Sequence, residues 1–298
     1  MNIEKTAMIT ICGRPNVGKS TLTNALAGEK ISIVSAKPQT TRNRITAVVN
    51  RANTQFVIMD TPGFHKARTK LGDYMVNVVK DSIPDVDLIL LVVEPVANIG
   101  PQEQNLLDSI RASGCPAVLL INKIDTVEKE SLLAVMALYA EAYPFDEILP
   151  VSAMRKDGIE MLFSVMEKYA AAGPALFPED MDTDQPDRQV CAELVREKLL
   201  RCLDKEVPHG TAVEVTRFTE RDDGIIDLDV TIYCEKASHK GIIIGKGGET
   251  LKKIGALART DIERFMGTKV FLQTWVKVKE NWRDSDVMLR NFGYRSDK

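Results

Sequence analysis

Eight residues, Gly13-Arg14-Pro15-Asn16-Val17-Gly18-Lys19-Ser20, constrain this chain more than any other segment. They follow the apolar run Ala7-Met8-Ile9-Thr10-Ile11 and lead into Thr21-Leu22-Thr23-Asn24-Ala25-Leu26, which reads as a helix start. A G-x-x-x-x-G-K-S segment between a strand and a helix is a phosphate cradle. Successive backbone N–H groups line a concavity, and the helix N-terminus adds its positive end. Residues 13–21 are therefore expected to hold phosphate, with Lys19 as the cation and the Ser20 hydroxyl placed for Mg²⁺.

The pattern around this loop fits the fold it needs. Strands are expected at 7–11, 45–49, 55–59, 87–93, 117–121 and 148–151, and helices at 19–27, 101–112, 131–142 and 158–171. Such alternation predicts an α/β domain with a mostly parallel sheet and helices on both faces. Strands 45–49 and 55–59 lie too close together for a crossover helix and should pair antiparallel. Composition then shifts. Residues 173–188 carry Pro174, Pro178 and Pro186 among Glu179, Asp180, Asp182, Asp184 and Asp187, and read as an interdomain linker docked in part by Phe177. The expected layout is a nucleotide domain over 1–172, the linker, and a smaller α+β domain over 189–298. In the second domain a helix at 190–206 precedes strands at 212–218 and 225–234, joined through the hairpin signal Asp222-Asp223-Gly224. A Gly-rich loop, a long basic helix and a strand at 269–278 complete it.

Several classes are excluded by composition. A chain of 298 residues with 44% hydrophobic and 27% charged residues is not disordered. Its formal net charge of −3 excludes a uniformly basic nucleic-acid binder, though not a local basic surface. The five cysteines are scattered without paired ligand spacing and read as reduced thiols. No basic stretch followed by a long apolar core opens the sequence, and the apolar run 88–93 is far too short to span a bilayer. A soluble cytoplasmic protein is expected.

Three further motifs specify the nucleotide. Asp60-Thr61-Pro62-Gly63 ends an apolar strand; Asp60 can hold Mg²⁺ through water, and the Gly63 N–H can approach a γ-phosphate unobstructed. Asn122-Lys123-Ile124-Asp125 also follows an apolar strand. The Asp125 carboxylate can accept paired hydrogen bonds from the ring N–H and amino group of guanine, whereas adenine would leave it unsatisfied. Lys123 would lie along the base, and Asn122 would tie loops together. Ser152-Ala153 completes the set, with the Ala153 N–H aimed at the guanine carbonyl. The ligand is thus expected to be GTP or GDP. Between the first helix and second strand lies Lys37-Pro38-Gln39-Thr40-Thr41-Arg42, where Thr41, or alternatively Thr40, could reach Mg²⁺ only when a γ-phosphate is present. Lys19, Thr41 and Gly63 are the candidates for acting on the reacting phosphate.

Near the other end, Gly241-Ile242-Ile243-Ile244-Gly245-Lys246-Gly247-Gly248 enters a helix containing Lys252, Lys253, Arg259 and Arg264. From Lys240 to Arg283 ten Lys/Arg face four Asp/Glu. A G-x-x-G loop of this kind lets a KH domain approach the backbone of about four nucleotides. Ile244, Gly245, Lys246, Gly247, Gly248, Lys252 and Lys253 are the candidate RNA-binding residues. Trp275 is expected to pack in the domain, and Trp282 could pack or stack on a base.

With these motifs in this order, the chain resembles the translation-factor-related GTPases. Its whole layout is similar to the Era family, a P-loop GTPase domain followed by a type II KH domain. That resemblance implies hydrolysis of GTP to GDP, binding of small-subunit (16S) ribosomal RNA near its 3′ end, and a role in assembly and maturation of that subunit by a monomer. It also implies a mechanism without a water-orienting Gln, because Phe64 follows Gly63. Asn16 is similar to the residue that coordinates K⁺ in some relatives. Peripheral contact with the inner membrane surface would be compatible with this role. The competing reading is a membrane-associated signalling GTPase whose basic domain binds anionic lipid.

Overall fold

The computed structural model describes residues 3–294. The chain divides into two compact units, one holding nearly all residues up to Asp184 and one the residues from Gln185 onward.

In the first unit, β1 (Lys5–Cys12), α1 (Lys19–Ala27), β2 (Ile45–Arg51), β3 (Thr54–Asp60), α2 (Lys70–Asp81), β4 (Leu88–Val93), α3 (Pro101–Ser113), β5 (Ala117–Ile121), α4 (Lys129–Ala142), β6 (Glu147–Pro150), α5 (Ile159–Met166) and β7 (Ala171–Ala172) follow in order. The sheet order is β2-β3-β1-β4-β5-β6, with β7 beside β1. β1 is parallel to β3 and β4, and β2 is antiparallel to β3, as the short connection requires. Burial on both faces explains the unbroken apolar runs of the central strands. In β4, Leu88, Leu90 and Val92 enter one core cluster, while Ile89, Leu91 and Val93 enter the opposite one. Because β1 has parallel neighbours on both sides, chain connections leave it in opposite directions. Ligands of open α/β sheets bind at such a switch point, outside the carboxyl ends of the strands. The loop after β1 stands there.

Two details differ from expectation. α2 has no counterpart among the elements expected above, although Leu71, Met75 and Val79 carry the helical period. The helix expected at 158–171 stops at Met166; a 3₁₀ turn follows, and then β7 pairs antiparallel with β1. Beyond it, the proline-rich segment lies along the first unit. The buried Gln55 side chain accepts the Leu176 and Phe177 N–H groups at 2.8 and 2.9 Å, and Val48 N–H donates to Asp182 O at 2.9 Å.

The second unit runs α6 (Asp187–Cys202), β8 (Thr211–Glu220), β9 (Ile226–Cys234), α7 (Ala237–Ile244), α8 (Glu249–Met266), β10 (Val270–Val278) and α9 (Asp286–Asn291). The sheet order is β10-β9-β8, with β10 parallel and β8 antiparallel to β9. A turn at Gly224, with φ +77°, closes the β8–β9 hairpin. The isoleucine run is helical rather than loop: it forms the last turn of α7. Burial also corrects the reading of Trp275 and decides that of Trp282. Trp275, expected to pack, is 43% exposed, whereas Trp282 is fully buried, donates from Nε1 to Gly210 O at 2.9 Å and meets Phe292 edge-on. Trp282→Ala is expected to destabilise the second unit by about 3–5 kcal/mol while leaving GDP affinity intact. Urea unfolding followed by circular dichroism, alongside nucleotide titration, checks both.

Candidate nucleotide site and nucleic-acid interface

At the carboxyl ends of the parallel strands opens a cleft of about 330 Å³, lined by Lys19, Ser20, Thr41, Gly63, Lys123 and Met154 among others. The loop of residues 13–18 reaches its shape through Asn16 and Gly18, whose φ values are +67° and +101°. A side chain at Gly18 would collide with the Asn122 amide, its Cβ lying 2.2 Å from Nδ2. Gly63 is similarly confined, because a Cβ there would sit 2.6 Å from Pro15 Cα. The Gly63 backbone therefore packs directly on the phosphate loop.

Lys19 is buried at the start of α1 and donates to the carbonyls of Gly13 and Arg14 at 3.1 and 2.9 Å. Burial pushes its ammonium down to about 8, and Asp60 pulls it back up. Asp60 is wholly buried at the end of β3, and neither carboxylate oxygen has a hydrogen-bond partner. Desolvation raises its pKa, with the Lys19 charge opposing. Ser20 Oγ lies 2.8 Å from Thr41 Oγ1. Two hydroxyls and an orphaned carboxylate in this setting fit Mg²⁺, whose ligands are oxygens. Between the two threonine candidates the geometry favours Thr41; Thr40 instead donates to Lys37 O at 2.6 Å.

On the base side, Asn122 is 3% exposed. Its Nδ2 donates to Val17 O at 2.8 Å and its Oδ1 accepts the Ala153 N–H at 3.0 Å. The Ala153 N–H, expected at the guanine carbonyl, is thus engaged within the protein. Ser152 Oγ donates to Asp125 Oδ1 at 2.6 Å, and that hydrogen bond holds the Asp125 carboxyl below its ordinary range. Asp125 stays ionised and acceptor-only, as guanine recognition requires. Thr61 Oγ1 donates to Ile11 O at 2.8 Å, fixing the turn that carries Pro62. Phe64 is buried in a core cluster with Cys12, Val79 and Ile83, a packing role.

Arg14 departs from the expected arrangement, for its side chain is held by ion pairs to Glu103 and Glu94. Val17 likewise contributes backbone, its side chain being core. Glu94 and Glu103 are residues the motif reading missed. Glu103, 2% exposed, also accepts the Gly100 N–H at the start of α3. Glu94 accepts Lys123 Nζ at 2.5 Å, and the same ammonium donates to Asn16 O at 2.6 Å. These carboxylates hold the cations of two motifs in place. They sit in no motif of their own.

In the second unit, Gly245-Lys246-Gly247-Gly248 forms the turn between α7 and α8. All three glycines have positive φ (+75°, +59° and +83°), and a Cβ on Gly245 would strike Thr250 Oγ1 at 2.2 Å. Lys246, Gly247, Lys252 and Lys253 are exposed, and Ile244 is half-buried. Among the described residues Lys246, Lys252, Lys253 and Arg259 have no ion-pair partner, whereas Arg283 pairs with Glu235. The free cations cluster at the turn and along α8. β10, bonded on one edge alone, packs against both helices.

The Lys19 environment has a pH consequence. A phosphate beside Nζ would favour the ammonium, so nucleotide binding above about pH 8 is expected to take up a proton. GDP binding by calorimetry in buffers of different ionisation enthalpy should show uptake of about one proton at pH 9 and almost none at pH 7, with affinity falling as pH rises. Absence of uptake at pH 9 would refute this account of Lys19.

Comparison with known proteins finds relatives of both units. Residues 8–123 match the family model described as 50S ribosome-binding GTPase, and residues 206–283 match the KH domain. The chain is 51% identical to GTPase Era of Ruminiclostridium cellulolyticum, covering 99% of each, and 48% identical to GTPase Era of Clostridium kluyveri, covering 98% and 99%. It is also similar to a crystal structure of Era in complex with MgGDPNP and nucleotides 1506–1542 of 16S ribosomal RNA. That pair has a TM-score of 0.95 and 36% identity over 98% of this chain and all of the other. A single-residue variant of Aquifex aeolicus Era bound to GDP·AlF₄⁻ superposes with a TM-score of 0.94, again at 36% identity and the same coverage. With a phosphate cradle, a guanine-reading loop and a G-x-x-G turn on these two units, the chain belongs to the Era family of GTPases.

Proposed function

We propose that this chain is a GTP-driven switch that holds the 3′ end of small-subunit ribosomal RNA during assembly and maturation of the small subunit. The contact that carries the switch is Ser20 Oγ to Thr41 Oγ1, beside the buried Asp60 carboxylate, which is eased by the Lys19 charge and the nearby Ser20 and Ser32 hydroxyls. Ser20, Thr41 and Asp60 would hold Mg²⁺, which when bound neutralises charge between the β- and γ-phosphates. Thr41 lies in the connection between α1 and β2, so losing its ligand on hydrolysis would release that connection. Lys19 would trade its loop carbonyls for phosphate oxygens, and the Gly63 N–H would meet the γ-phosphate. Asp125, kept ionised by Ser152, would select guanine.

RNA binding is supported by the exposed, unpaired cations at the G-K-G-G turn, because a close backbone approach needs those glycines and phosphate needs those charges. This ordered turn favours RNA over anionic lipid, which needs charge alone. No described helix is long and apolar enough to cross a membrane. We take the protein to act as a cytoplasmic monomer, with any membrane fraction peripheral.

Lys19→Ala should abolish nucleotide binding and leave the second unit's fold intact. Gly247→Asp should instead weaken RNA binding and leave nucleotide binding intact. A Cβ at Gly247 would meet nothing within 4 Å, and aspartate adopts its left-handed φ of +59° more readily than most residues, so the substitution adds charge at a modest backbone cost. RNA affinity should fall at least about tenfold with GDP binding unchanged, measured by fluorescence anisotropy with the 1506–1542 fragment. Vesicles of anionic lipid, rather than the RNA, capturing the protein would move the basic surface to the membrane reading.

The exposed Asn16 side chain at the rim of the cleft suits K⁺ coordination by its amide oxygen. GTP hydrolysis should run faster in K⁺ than in Na⁺, Asn16→Ala should erase the difference, and the same variant should remove any K⁺ dependence of nucleotide dissociation. Equal rates in both salts would sink the idea.

A further inference from the structure

Alternation along β10 points Val270, Leu272, Thr274 and Val276 toward the helices and Phe271, Gln273, Trp275 and Lys277 to the opposite face. The outward residues are all exposed, with Phe271 at 49% and Trp275 at 43%, on an edge strand. Two large aromatics on one solvent face, separated along the strand by Gln273 and accompanied by cations, form a row of exposed rings. Apolar rings there gain nothing for the fold, whereas both can receive a base. The Arg221 guanidinium lies 5.4 Å from the Phe271 ring centroid. Asp227, opposite Phe271 in the register, is ion-paired by Arg217 at 3.2 Å and by Arg221. The acid opposite the ring is thus neutralised; Asp229, opposite Gln273, has no ion-pair partner among the described residues, and Lys277 and Lys279 continue the positive charge along the strand.

We infer that this outer sheet face is a second RNA-binding surface, one that stacks unpaired bases of nucleotides adjoining those at the G-K-G-G turn. The inference rests on the RNA-binding reading above and extends it. Continuity supports RNA as the occupant: β10 packs on α7 and α8 with its inner face, its free edge carries unpaired backbone groups, and its outer face carries the rings. A strand leaving the turn can cross that edge. Stacking tolerates sequence, since every base has a π-face, and arginine beside an aromatic strengthens it.

The two tryptophans supply the test. Trp282 is buried and serves as an unresponsive background, so RNA-dependent quenching reports Trp275. The full chain is titrated with RNA of the 1506–1542 sequence and with a piece of about four nucleotides that fills only the turn. The long RNA should quench Trp275 and the short one should not. Trp275→Ala should weaken the long RNA about tenfold, Trp275→Phe should retain most of the affinity, and the unfolding midpoint and GDP affinity should not move. Full affinity in Trp275→Ala, or binding without quenching, would overturn the second surface and leave the first standing. Failure of the unaltered chain to bind the long RNA would overturn both.

Discussion

One side-chain amide joins the loops on which nucleotide recognition depends. Asn122 donates to the phosphate loop at Val17 and accepts from the loop after β6 at Ala153, while belonging itself to the loop after β5. Three loops that leave different strands of the sheet are thereby tied directly to one another. Burial makes the arrangement exacting, because an amide left unpaired there costs about 1–3 kcal/mol. It also explains Gly18, since any side chain would occupy the Asn122 Nδ2 position. Lys123 repeats the link one residue later through Asn16 O and Glu94. The base-reading loop and the phosphate loop are therefore one mechanical piece.

Buried charge in the cleft has the opposite character, being arranged but incompletely satisfied. Asp60 lacks hydrogen-bond partners, and Lys19 must make do with two backbone carbonyls. Sites of this kind are costly to the folded chain and are relieved by ligand, which is how binding energy and local order become coupled. Thr41, resting on Ser20, lies where that relief would be felt.

Much of this was legible in the sequence because the chemistry is local. A phosphate loop needs its glycines and lysine within eight residues, and guanine recognition needs its aspartate at a fixed offset from the strand end. Asn122 and Asp125 follow β5 at that offset, whereas spacing alone left Thr40 and Thr41 as alternatives. Glu94 and Glu103 were illegible because their meaning is tertiary: each acts on a cation from a distant segment, and a lone glutamate has no pattern. α7 was misread for a different reason. Its Lys-Gly-Ile-Ile-Ile sequence, with a glycine and three β-branched residues, has poor helix propensity, and packing of the buried Ile243 overrides it.

The tryptophans show where sequence patterning stops and topology takes over. Both lie in a basic, moderately apolar stretch, and residue type alone favours burial for each. Whether a strand residue is buried depends on which face of the sheet is covered, and that depends on where α6 and α8 pack. Those helices cover one face, so β10 presents every second residue to solvent, and Trp275 falls on the open side by a shift of one position. Trp282 lies beyond the strand, where Gly210 O, Phe292 and Tyr294 enclose it. The same edge strand thus supports a packed interior on one face and free aromatic rings on the other. No periodicity within β10 itself could say which was which.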